Sequence, residues 1–215
     1  MVNLPFADRF EAGRLLAEEL CRRPKPVRPI VLALPRGGVP AGLAVASALQ
    51  APLDVVVVRK LGVPWRPELA MGAITSGAFH ILDNELIHEL GICPDEIAAV
   101  VSKEKDEVER REKLYRAGRP MPHLRGHTVF LVDDGLATGS TMLAAARYVR
   151  SLGPRKLIGA VPVGSVEACH RLKKELDECL CLATPEPFQA VGEWYNDFSQ
   201  VSDADVQQLL TPAAA

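Results

Sequence analysis

Five short stretches of this chain are almost wholly apolar: Ile30–Leu34, Leu53–Val58, Thr128–Val132, Lys156–Val163 and Cys179–Leu182. A strand with no polar face has to be covered on both sides. Segments with helical patterning lie between and around these stretches, at Asp8–Cys21, Val39–Leu49, Pro94–Tyr115, Thr141–Leu152 and Val166–Leu176. Buried strands alternating with helices predict an α/β fold built on a mostly parallel five-stranded sheet flanked by helices.

Length and composition agree with one such unit. The 215 residues fit a single large domain. Only 5% of them are aromatic, so the core must be built mostly from Val, Leu, Ile and Ala. The net charge of −2 argues against a nucleic-acid surface, which would carry a basic excess. Cys21, Cys93, Cys169, Cys179 and Cys181 are odd in number and widely scattered, which argues against a disulfide framework. Cys179 and Cys181 share one strand face but lack a matching pair at ligand spacing, so they read as buried free thiols rather than metal ligands. The first residues are charged and broken by Pro5, unlike a secretory signal, and no apolar run approaches the ~20 residues of a membrane span. A cytoplasmic protein is expected.

Local signals sharpen the elements. Asp8 is placed to cap a first helix whose apolar spacing is Phe10, Leu15 or Leu16, and Leu20. Arg22–Pro29 contains three prolines and reads as a linker. Arg59-Lys60 is expected to close the second strand. Gly62–His80 shows no clean period and contains Pro64, Pro67, Gly72 and Gly77, so it is expected to be a long loop, with Trp65 and Glu68 its leading functional candidates. A brief strand and helix are expected over Ile81–Leu90. Pro94 suits a first helical turn, and Ile97, Val101, Val108 and Tyr115 form one stripe. The mixed charges between them read as a solvated face. After Pro185 the pattern becomes irregular. Phe188, Trp194, Tyr195 and Phe198 there suit the core of a small hood over 183–210, and base stacking is the alternative.

Ligands of open α/β sheets bind beyond the carboxyl ends of the strands. Three such ends carry suggestive residues: Pro35-Arg36-Gly37-Gly38, Arg59-Lys60 and Asp133-Asp134. After the acid pair, Gly135–Thr141 leads into a helix. Its small residues and hydroxyls, with the N–H groups of the helix start, make an anion cup. The carboxylates cannot hold that anion. They suit a ribose diol, or water around Mg²⁺. Together the two halves describe a sugar phosphate.

F-L-V-D-D-G-L-A-T-G-S-T (Phe130–Thr141) resembles the 5-phosphoribosyl-1-pyrophosphate (PRPP) signature of type I phosphoribosyltransferases. L-P-R-G-G at Leu34–Gly38 is similar to that family's pyrophosphate loop, and Arg59-Lys60 falls where the family places a basic residue. P-E-L-A-M-G-A-I (Pro67–Ile74) and V-G-E-W-Y-N-D-F (Val191–Phe198) look like a bacterial subgroup with no known substrate. The resemblance implies that Asp133 and Asp134 hold the ribose hydroxyls and, through water, the metal. It implies that Gly135, Ala137, Thr138, Gly139, Ser140 and Thr141 wrap the 5-phosphate, and that Arg36, Gly37 and Lys60 meet pyrophosphate bridged by Mg²⁺. It further implies a nitrogenous base or amine as acceptor, a flexible lid at Gly62–His80 and a homodimer. Hypoxanthine-guanine enzymes carry an aspartate at the fifth motif position, where this chain has Ala137. That departure speaks against a 6-oxopurine acceptor.

Two other readings fit parts of the pattern. A response-regulator acid pair would follow the first strand, not the third. A non-catalytic regulator that binds PRPP or a nucleotide would keep the motifs without turnover; Arg36 and Lys60 on the pyrophosphate side favour catalysis over it. The five histidines are scattered and read as surface or packing residues.

Overall fold

The computed structural model describes residues 2–211. Five strands form one parallel sheet: β1 (Pro29–Ala33), β2 (Leu53–Val55), β6 (Thr128–Val132), β7 (Lys156–Val163) and β8 (Glu178–Ala183), in the order β2-β1-β6-β7-β8. Their side chains alternate between two apolar layers. Val31, Phe130, Val132, Ile158 and Leu180 face α1 (Arg9–Cys21) and α2 (Gly38–Leu49). Ile30, Leu32, Val129, Leu131 and Leu157 face α5 (Ser140–Ser151) and α6 (Val166–Leu172). The unbroken apolar runs follow directly from this double cover. The α/β fold with helices on both faces is therefore as the sequence predicts, although α6 ends at Leu172, short of Leu176.

The second layer of structure differs from expectation. The Leu53–Val58 stretch splits, so Arg59 and Lys60 do not close a core strand. They lie within β3 (Val58–Val63), which pairs antiparallel with β4 (Arg66–Thr75), and β4 pairs with β5 (His80–Leu82). Gly62–His80 is thus not a plain loop but most of a three-stranded sheet, with Pro64 and Trp65 as its hairpin tip. Its strand period was hidden because β4 carries Pro67, Ala70, Gly72 and Ala73 rather than alternating β-branched residues. Leu61, Val63, Met71 and Ile74 pack on Val108 and Tyr115 of α4 (Pro94–Arg116) and on Val206 and Leu210 of α7 (Asp203–Leu210). Helix α3 (Asn84–Leu90) follows β5 as expected.

Helix α7 was not expected. It is short, but Ser202 and Asp205 form a reciprocal capping box at its start, a readable signal. The hood aromatics divide: Tyr195 is core, buried with Phe6, Ala12 and Val163, and Phe188 and Trp194 pack against that cluster, whereas Phe198 is 38% exposed. On α1 the buried stripe is Arg9, Ala12, Gly13, Leu16, Ala17 and Leu20, so Phe10 points outward, 50% exposed, instead of leading the stripe. Asp8 caps this helix as predicted, accepting from Glu11 N at 2.8 Å. Among the described residues, no helix is long and apolar enough to cross a membrane.

Candidate active site

From β1 the chain passes outward to β2, whereas β6, β7 and β8 extend the sheet the other way. The strand order therefore reverses between β1 and β6, which is where open α/β sheets place their ligand crevice. The residues after these two strands are Pro35-Arg36-Gly37-Gly38 and Asp133-Asp134. Two motifs separated by nearly a hundred positions become neighbours.

They touch at closest range through glycine. A Cβ on Gly37 would lie 2.0 Å from Asp134 Oδ2, and one on Gly38 would lie 2.7 Å from Val132 O and 2.8 Å from Asp133 Cα. Gly38 is required by its backbone neighbours, and Gly37 by the Asp134 carboxylate, which Arg9 holds in place. Leu34 N donates to Val132 O at 2.8 Å, and Gly38 N donates to Leu34 O at 3.0 Å, which fixes the Arg36 turn on the sheet edge.

Beyond the acids, Gly139 stands in the left-handed region at φ +73° and turns the chain into α5. The first N–H groups of α5 have no partner within the helix. Ala137, Thr138, Ser140 and Thr141 are exposed, while Gly135 is buried under Val191. Carbonyls of the cup are held from behind: Ser165 Oγ donates to Ala137 O at 2.8 Å, and Arg171 Nη1 donates to Thr138 O at 3.2 Å. With its carbonyls turned onto α6, the loop presents an open, N–H-rich cradle suited to an anion.

The acids sit in unlike surroundings. Asp133 Oδ1 accepts from Asp134 N at 2.9 Å. Burial, and then the neighbouring Asp134 charge, push the Asp133 carboxyl well above its ordinary range. Burial also raises Asp134, but Arg9 opposes the rise by donating from Nε to Asp134 Oδ2 at 2.7 Å. Arg9 donates as well to Ser199 O at 2.8 Å, and its guanidinium lies 3.8 Å from the centre of the Phe198 ring. The Tyr195 hydroxyl donates to the backbone carbonyl of Asp134 at 2.6 Å.

The predicted site residues thus divide. Arg36, Gly37, Asp133, Asp134 and the Gly135–Thr141 loop lie together beyond the carboxyl ends of β1 and β6. Arg36 is not idle: its Nη1 lies 3.5 Å from Asp203 Oδ1. Asp203 also accepts from the Tyr115 hydroxyl at 2.7 Å, and that bond, then Arg36, holds its carboxyl below the usual range. Lys60 sits on the hairpin, where its Nζ donates to Glu68 O at 3.2 Å and lies 3.6 Å from Glu68 Oε2. Trp65 and Glu68 are exposed at and beside the hairpin tip.

Arg9, Ser165, Arg171 and Asp203 were not found from sequence. Arg9 had a usable signal. It occupies the buried stripe of α1, where a charge needs a partner.

Residues 9–193 match the family model described as the phosphoribosyl transferase domain. The chain belongs to that family. A protein from each of two Mycobacterium tuberculosis strains, provisionally named a phosphoribosyl transferase, is 44% identical over 209 residues. That alignment covers 97% of this chain but 47% of each relative, so the chain spans about half the length of the curated relatives it matches. The crystal structure of TT1426 from Thermus thermophilus is 41% identical, covers 96% of this chain and 98% of that one, and superposes with a TM-score of 0.83. Family membership accords with the α/β core and with the place of the acid pair at the β1–β6 reversal.

Proposed function

We propose that this chain is a Mg²⁺-dependent phosphoribosyltransferase. It would transfer the 5-phosphoribosyl group of PRPP to a nitrogenous base or amine and release pyrophosphate. The observation that carries this reading is the meeting of the Arg36–Gly38 turn with the Asp133-Asp134 pair, beside the open cradle at the start of α5.

In this reading the Ala137–Thr141 cradle binds the 5-phosphate through N–H groups and hydroxyls. Asp133 takes the ribose hydroxyls. It also stabilises the positive charge that develops at the anomeric carbon as the bond to pyrophosphate breaks. Arg36 meets the departing pyrophosphate after exchanging Asp203 for it. Asp134 acts chiefly as a positioned charge, since Arg9 already occupies Oδ2. Lys60 reaches the pyrophosphate only if it leaves Glu68.

The donor set suits Mg²⁺ in a limited way. Such an ion keeps several waters and binds one or two carboxylates with substrate phosphates, and Asp133 can supply the carboxylate. Asp134 cannot readily share, because a guanidinium sits on it. Bound there, Mg²⁺ would offset charge on the leaving pyrophosphate. Ala137 offers no carboxylate toward a base nitrogen, which disfavours a 6-oxopurine acceptor.

One observation supports a second reading, a PRPP- or nucleotide-binding regulator. Arg36 and Asp134 are both engaged by groups from the ends of the chain, Asp203 and Arg9. The test is incubation with PRPP, Mg²⁺ and a panel of bases and amines, following pyrophosphate release. Turnover with any acceptor supports the transferase. Tight PRPP binding without turnover across the panel supports the regulator; absence of PRPP binding sinks the transferase, and absence of nucleotide binding as well sinks the regulator.

A further inference from the structure

Three thiols lie behind the anion loop and have no part in the proposed transfer. Cys169 belongs to α6, and Cys179 and Cys181 stand on one face of β8. All three are free, partly buried and packed against the apolar layer beneath α5 and α6. A methyl placed on Gly164 would lie 3.3 Å from Cys169 Sγ and 3.4 Å from Cys181 Sγ, so the two sulfurs flank one point of the β7–α6 turn. Cys181 Sγ donates to Ala183 O at 3.1 Å. The neighbouring Cys179 and Cys181 thiols, and then the Lys173 ammonium, draw the Cys169 thiol down, while the Cys179 and Cys181 thiols are pushed up.

A thiolate with a neutral thiol beside it is the arrangement that peroxide converts to a disulfide. We propose that Cys169 is an oxidation site, where its sulfur attacks a peroxide and Cys181 resolves the product. The Cys169 sulfur takes one oxygen of the peroxide as its O–O bond breaks, giving a sulfenic acid and hydroxide, which is protonated to water. The Cys181 sulfur then attacks the Cys169 sulfur, the S–O bond breaks, and the hydroxyl leaves with the Cys181 proton as a second water. Two thiols and one peroxide yield one disulfide and two waters.

The bridge would be felt at the anion loop. A disulfide brings sulfurs to about 2.05 Å, closer than unbonded sulfurs approach, so closing it draws α6 against β8. Helix α6 and its cap carry Arg171 and Ser165, which hold Thr138 O and Ala137 O. This consequence, unlike the oxidation itself, rests on the loop being an anion site.

The test treats the full chain with equimolar hydrogen peroxide, followed by alkylation, intact mass and peptide mapping. The expected product has lost two hydrogens and contains a Cys169–Cys181 linked peptide, while Cys21 and Cys93, although exposed, remain alkylatable. Cys169→Ser should abolish the bridge. With peroxide in excess, Cys181→Ser should leave Cys169 to proceed to the sulfinic acid, which consumes a second peroxide. Oxidation of Cys21 or Cys93 ahead of Cys169, or sulfinic acid at Cys169 in the unaltered chain without a bridge, would overturn the proposal. Ribose 5-phosphate affinity, measured before and after oxidation, should fall several-fold. Bridge formation with unchanged affinity overturns the coupling to the loop. Failure of the reduced chain to bind ribose 5-phosphate strikes the anion-site reading and leaves the thiol chemistry standing.

Discussion

Arg9, in the first turn of α1, holds Asp134 of the signature loop through a 2.7 Å contact between its Nε and Oδ2. The side chains are only 10% and 14% exposed. Removing one partner of a buried pair strands the other charge, at a cost of about 3 kcal/mol. Arg9→Ala should lower stability by roughly that amount in urea unfolding at neutral pH. Arg9→Lys should recover only part, because one ammonium cannot copy the two-sided grip on Asp134 and Ser199. An Arg9→Ala protein that unfolds at the unaltered urea midpoint would show that the pair contributes nothing.

Asp133 sets stability and activity against each other. Its folded carboxyl is raised by burial and by Asp134. A raised carboxyl favours the native state when protonated. That contribution is complete below the unfolded pKa of about 3.9 and is lost as pH rises through the folded value. At neutral pH the ionised form is therefore a burden, and Asp133→Asn should stabilise the fold, read as a higher Tm and urea midpoint. Transfer should respond in the opposite sense. It needs the carboxylate, so kcat/KM should fall as pH drops through the raised pKa, with an acid limb above the ordinary carboxylate range. A limb at the ordinary Asp value, or a less stable Asp133→Asn, would contradict this assignment.

Gly37→Ala tests the junction of the two loops. The added methyl would meet Asp134 Oδ2 at 2.0 Å, and Arg9 keeps that carboxylate from swinging aside. Overpacking of this kind costs about 1–3 kcal/mol. PRPP affinity should fall along with stability, as read by calorimetric titration. In an Asp134→Ala background, where the carboxylate is gone and Arg9 is already stranded, Gly37→Ala should cost little further stability.

The parallel core was legible because four of its five strands are apolar on successive residues, and such runs have few folded solutions. The crevice was legible for a different reason: Phe130–Thr141 is contiguous, and one strand–turn–helix contains all its chemistry. The antiparallel sheet was not legible, since Gly62, Gly72 and Ala73 give no period to read, and the two glycines are placed by close backbone approach. Long-range ion pairs were also out of reach. Nothing local to Asp134 points to Arg9, 125 positions earlier, and nothing near Arg36 points to Asp203. Those pairs follow from how the two ends of the chain pack on the sheet edge.

Asp203 competes for the arginine that pyrophosphate would need. Its Oδ1 lies 3.5 Å from Arg36 Nη1, with both side chains 31% exposed. A pair of that exposure is worth up to about 1 kcal/mol, which is roughly a fivefold change in affinity. Asp203→Asn retains an acceptor for the Tyr115 hydroxyl but removes the charge. Pyrophosphate should then bind up to about five times more tightly. Asp203→Asn also frees Arg110, whose Nη2 lies 3.7 Å from Asp203 Oδ2, so the single variant does not identify the responding group. The double-mutant cycle does. If Arg36 is the pyrophosphate ligand, the gain from Asp203→Asn vanishes in an Arg36→Ala background, and Arg36→Ala alone weakens binding about tenfold. If the gain persists without Arg36, the anion is held by Arg110 on α4, and the Arg36 turn loses its assigned role.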